Sequence, residues 1–160
     1  MNTITETIDS GNWEETIKDS GFSITEVERF IEESYSRGYL ARNKEIRTKI
    51  RAIFNANLNQ TNQILASLVM YLNELGIYPI TAYLKIDPIA NFSVILIVKL
   101  EDYISAGVLQ AYDWMSDMEK NVRNENYNLD LSFMDDDANL NHEYLNADGF
   151  RFKRNNLNGK

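Results

Sequence analysis

Through the first half of the chain the apolar positions recur every three or four residues, and at Pro79 that rhythm gives way to alternation. A period near 3.6 marks one face of a helix and a period of two marks a strand, so the chain changes structural class at that point. Ile46, Ile50, Ile53, Phe54, Leu58, Ile64, Leu65, Leu68, Leu72 and Leu75 keep the helical rhythm, and no Gly or Pro falls between Arg42 and Leu75. Two readings follow for 42–75. One is a single helix of about nine turns. The other is a pair of helices broken near 57–61, with Asn59 or Thr61 capping the second. The Asn-rich run from Asn55 to Asn62 favours the break, because Asn is a poor helix-interior residue. Gly76 followed by Ile77 supplies a C-terminal stop.

Upstream, Ser23 and Glu26 form a capping box, with Phe22 and Val27 placed as a hydrophobic staple. They open a helix over 24–37 carrying Ile24, Val27, Phe30, Ile31 and Tyr35. A shorter helix over 13–19 is bracketed by the turn signals Asp9-Ser10-Gly11 and Asp19-Ser20-Gly21.

Beyond Pro79, Ile80, Ala82, Leu84 and Ile86 alternate with Thr81, Tyr83, Lys85 and Asp87, the pattern of a strand with one wet face. Asp87–Asn91 is a turn. Phe92–Leu100 is apolar on both faces, as in a strand covered on two sides. A helix capped by Asp102 or Ser105 follows, its apolar stripe running through Ile104, Val108, Leu109, Ala111, Tyr112, Met115, Met118 and Val122. Tyr127–Met134 alternates again, a short helix follows the acidic run Asp135-Asp136-Asp137, and Phe150–Lys153 suits an edge strand. The predicted architecture is a single α+β domain over 1–160. Its N-terminal helices pack on a small mixed sheet in the order strand-strand-helix-strand, with a fourth strand at the end. The crossover helix makes the second and third strands parallel. Residues 1–22 read as an acidic arm and 154–160 as a frayed tail.

Composition agrees with one core: 160 residues, 44% hydrophobic and 11% aromatic. The absence of cysteine removes disulfides, thiolate metal sites and cysteine nucleophiles, and fits a cytoplasmic setting. The N-terminus lacks the basic and apolar regions of a secretory signal. Net charge is −8, unevenly spread: residues 1–36 carry −7, 37–51 carry +5, 101–149 carry −10 and the last eleven +4. An acidic body repels nucleic-acid phosphates and no apolar run approaches the length of a membrane span, so nucleic-acid and membrane partners are disfavoured.

Motifs of catalysis are scarce. There is no Gly-rich phosphate loop and no H-E-x-x-H or G-x-S-x-G, and His142 is the only histidine. No cofactor is expected. Asp87, Asp130 and Asp135 would hold a divalent cation for phosphoryl transfer or nuclease chemistry if their strands were neighbours. Asp137, Asn139, Asn141 and Asp148 match part of a calcium loop, but His142 stands where that loop requires glycine. Lys44, Arg47 and Arg51 fall on one helical arc suited to phosphate or an acidic partner. The leading expectation is a non-catalytic acidic interaction protein of the inhibitor, immunity or chaperone type. It would bind a protein partner through Glu28, Glu32 and Glu33 and through Asp135, Asp136 and Asp137. A homodimer through 46–75 is compatible with either reading.

Overall fold

A computed structural model describes residues 13–15, 44–87, 90–137, 140–155 and 157. The predicted helix over 24–37, with Glu28, Glu32 and Glu33, lies outside them. The described elements are β1 (Glu14–Glu15), α1 (Lys44–Glu74), β2 (Thr81–Asp87), β3 (Asn91–Val98), α2 (Leu100–Tyr103), α3 (Ala106–Val122), β4 (Asn128–Asp135), α4 (His142–Ala147) and β5 (Phe152–Arg154). They build an α+β fold on a mixed sheet of order β1-β5-β2-β3-β4, in which β3 and β4 are parallel and the other pairs antiparallel.

The long helix is unbroken over 31 residues, about 46 Å. The break favoured by local propensity does not occur, because the polar residues at its centre find distant partners. The Asn57 amide donates to the Asn126 carbonyl at 2.8 Å. Thr61 Oγ1 donates to the Asn57 carbonyl at 2.8 Å and lies 2.6 Å from the Tyr127 hydroxyl. Not every amide is compensated: Oδ1 of Asn55, Asn59 and Asn73 and Nδ2 of Asn62 are buried without a hydrogen-bond partner. Burial of Phe54, Leu58, Leu65, Leu68 and Leu72 on the same helix offsets that cost. The helix ends as expected at Gly76, whose φ of 81° is open to glycine at little cost. The Gly76 and Ile77 amides donate back to the carbonyls of Asn73 and Leu72, a Schellman motif.

α1 and α3 cover one face of the sheet, with Tyr71 stacked on Trp114 between them at 5.8 Å. Beneath lie Ala82, Leu84 and Ile86 of β2, Phe92, Val94 and Leu96 of β3, and Leu129, Leu131 and Phe133 of β4. On the opposite face Leu145 of α4, with Leu140 and Phe150, packs on Tyr83, Ile95, Ile97 and Met134. That second layer explains why β3 is apolar on both sides. It also buries Tyr83, which alternation placed on a wet face.

Four other expectations change. Residues 14 and 15 form a strand on β5 rather than a helix. Trp13 anchors them, 3% exposed, its indole donating to Asn62 Oδ1 at 2.8 Å, and the ladder overrides local helix propensity. β5 is consequently an interior strand between β1 and β2, not an edge. Arg154 belongs to it and Leu157 is buried in the core, so this part of the tail is docked. On α3 the buried residues are Val108, Ala111 and Met115, while Ile104 and Leu109 point to solvent. The chain breaks at Ile104–Ser105, where Ser105 caps α3, so the helical phase does not run through from Ile104.

Candidate functional site

The sheet register separates the three aspartates of the metal reading. β3 lies between β2 and β4. Asp87 pairs with Asn91, which pairs with Asn128, whereas Asp135 pairs with Val98 at the other end of β3. Seven residues of strand separate those two levels, about 23 Å. Asp130 and Asp135, five residues apart on one strand, point to opposite faces. Asp87 and Asp130 share a face, but two strand spacings and two residues divide them, about 12 Å between backbones. The three do not converge, and among the described residues no group of three or more His, Asp or Glu side chains is placed to hold a metal ion.

Other candidates take structural places. The Asp87 carbonyl accepts from Asn91 Nδ2 at 2.9 Å, closing the hairpin turn. Asn141 of the calcium pattern is the N-cap of α4, its Oδ1 accepting from the amides of Glu143 and Tyr144 at 2.7 and 3.3 Å. The Asp137 carbonyl accepts from the Leu140 amide, and Asn139 lies outside the described residues. His142 is the first residue of α4. Lys44 and Arg47 belong to the first turn of α1, and Arg51, one turn on, is exposed. The apolar rhythm of α1 offered for a homodimer is largely consumed within the chain, with Met70 its one large apolar side chain left exposed among the described residues.

What the fold does bring together lies at one end of the sheet, where β3 and β4 finish and β2 begins. Asp136 donates its amide to the Val98 carbonyl at 2.7 Å, which sets the acidic run beside the end of β3. There Lys99 turns the chain into the single helical turn α2, closed by Asp102, Tyr103 and Ile104 amides donating to the carbonyls of Lys99 and Leu100. On the other side of β3, the Ile80 amide donates to the Ile97 carbonyl at 2.8 Å and holds the entry to β2. α2 is too short to bury a stripe, so Leu100 is 55% exposed and Tyr103 is exposed with it; Ile104 at its C-cap is 74% exposed, and Tyr78 at 56% and Ile80 stand exposed at the entry to β2. The same segments carry the exposed Glu101, Asp136 and Asp137 and the half-buried Asp102 and Asp135, against Lys99 as their one base.

Of this surface, the sequence expectation held only Asp135–Asp137. The signal for the rest was present in Leu100-Glu101-Asp102-Tyr103-Ile104, an apolar–acidic mixture directly after a fully apolar strand. Chemically, an array of carboxylates and large apolar side chains, with no nucleophile–base pair among them, suits recognition of a cationic, apolar ligand. The fold defines the protein as an α+β protein built on a mixed sheet; comparison with protein-family models, curated proteins and solved structures finds no match.

Proposed function

We propose that this chain is a non-catalytic interaction protein. Its acidic and apolar sheet end binds a partner protein through a basic segment that also carries apolar side chains. The observation that supports the reading is the coincidence, on one edge of the molecule, of five exposed large apolar residues (Tyr78, Ile80, Leu100, Tyr103, Ile104) with five carboxylates. Isolated exposed apolar residues are ordinary; a contiguous group rimmed by charge is the usual composition of a binding surface. The two kinds of group have different work. Burying a Leu or Ile side chain contributes about 1.5–3 kcal/mol before the costs of association. The carboxylates speed encounter with a cationic partner and reject anionic ones. A cytoplasmic inhibitor, immunity or chaperone-type role is the corresponding setting, supported by composition alone.

The test is selection from a random peptide display library against the purified protein at low salt. The expected binders combine Lys or Arg with Leu, Ile or Phe, and their affinity falls several-fold between low and physiological salt, as screening over about 8 Å requires. Binders without charge bias, or with salt-independent affinity, would count against the proposal.

A further inference from the structure

Among the described residues β4 is the outer strand of the sheet, yet two of its outward amides are not free. The Leu131 amide donates to Glu119 Oε2 at 2.6 Å and the Phe133 amide to the Tyr112 hydroxyl at 3.4 Å. Both acceptors belong to α3, two turns apart, and the Tyr112 ring stands edge-on to Phe133 with centroids 5.2 Å apart. In a parallel pair, alternate residues turn their backbone groups to the same side. Leu131 and Phe133 therefore carry the donors that any strand added to this edge would need. An open edge is a template for pairing, and proteins close such edges with charge or cover.

We propose that Glu119 and Tyr112 are a guard that closes the β4 edge, and that the strand they exclude is β4 of a second copy of this chain. The sequence of β4 is self-complementary in the antiparallel sense. With Ser132 on the two-fold axis, Leu131 meets Phe133 of the second copy as a hydrogen-bonded pair, using the two guarded amides. In that register Asp130 faces Met134 and Asp135 faces Leu129, so no like charges oppose each other. The guard replaces those intermolecular bonds with bonds inside one chain.

The register gives a direct probe. Ser132 would face Ser132 of the second copy as a non-hydrogen-bonded pair, with Cα atoms about 4.5 Å apart. That lies within disulfide range. The chain has no cysteine, so Ser132→Cys is a clean reporter. It is placed in the native sequence, in Glu119→Ala/Tyr112→Phe, which removes both acceptors while keeping the ring, and in Glu119→Gln, which keeps an amide acceptor. After mild oxidation, disulfide-linked dimer is expected to rise about tenfold in the double variant. It should stay at the native level in Glu119→Gln. If thermal unfolding shows that the double variant does not fold, Glu119→Ala alone carries the comparison, read by amide exchange at Leu131. Loss of the guard predicts faster exchange there in dilute protein. Equal cross-linking in guarded and unguarded chains, or Leu131 exchange unchanged in Glu119→Ala, overturns the proposal.

Discussion

Replacing Thr61 with valine isolates the polar bond that lets the long helix run unbroken across the sheet. Thr61 and Tyr127 are both buried, with Oγ1 and the phenol 2.6 Å apart. A hydroxyl has one hydrogen, and that of Thr61 is committed to the Asn57 carbonyl, so Tyr127 is the donor in the pair. Thr61→Val keeps the shape and nearly the same helix propensity but strands the Tyr127 hydroxyl in the core, at a cost of about 1–3 kcal/mol. Tyr127→Phe deletes the donor and leaves Thr61 still bonded to Asn57, costing about 0.5–1.5 kcal/mol. The double variant has no stranded group. It should therefore be more stable than the sum of the single losses, by a coupling of about 1 kcal/mol. Urea unfolding followed by tryptophan fluorescence, together with calorimetry, measures all four corners. For a domain of this size, about 2 kcal/mol in Thr61→Val appears as a fall of roughly 4–8 °C in Tm. Additive losses, or a Thr61→Val variant within about 0.5 kcal/mol of the parent, would refute the reasoning.

Burial pushes the Tyr127 phenol up to about 12, and burial also raises Tyr83. A raised folded-state pKa favours the neutral form in the native protein. Its contribution is therefore fully present below the ordinary value near 10 and is lost as pH rises through about 12. Circular dichroism from pH 9 upward should show base unfolding in that window, displaced to higher pH in Tyr127→Phe; an unmoved transition would exclude Tyr127 as a cause. The two positive-φ glycines among the described residues, Gly76 and Gly149, should differ. Gly76→Ala meets no neighbour and costs about 1 kcal/mol of backbone strain. Gly149→Ala, at φ 104°, also drives its Cβ to 3.0 Å from Lys85 Cε and should cost more in a thermal melt. Equal losses would mean that the Lys85 side chain yields freely.

How much of this was legible depended on whether the deciding partner was near in sequence. Gly76 and Ile77 state the end of α1 locally, and alternation states β2, β3 and β4. The two-sided apolar character of β3 foretold a covered strand. The continuity of α1 was hidden, because Asn57 and Thr61 are satisfied by Asn126 and Tyr127, more than sixty residues away. The pairing of Glu14 and Glu15 with β5 was hidden likewise, since it rests on Trp13 seated against Asn62. Ile104 and Leu109 fitted a helical stripe on paper; the break at Ser105 takes Ile104 out of phase, and Leu109 lies about 100° around α3 from the buried Val108. The proposed binding surface draws on the entry to β2, on α2 and on the end of β4, segments that only the completed sheet sets side by side.

The most direct measurement of the central claim is the affinity of a selected basic, apolar peptide for the parent protein and for Ile104→Asp and Asp136→Lys. Both positions are exposed, so both variants should retain the parental thermal stability. At least about tenfold weaker binding is expected for each, equivalent to about 1.4 kcal/mol. Asp136→Lys should in addition flatten the salt dependence. Undiminished affinity in both folded variants would contradict the assignment of this sheet end as the binding surface.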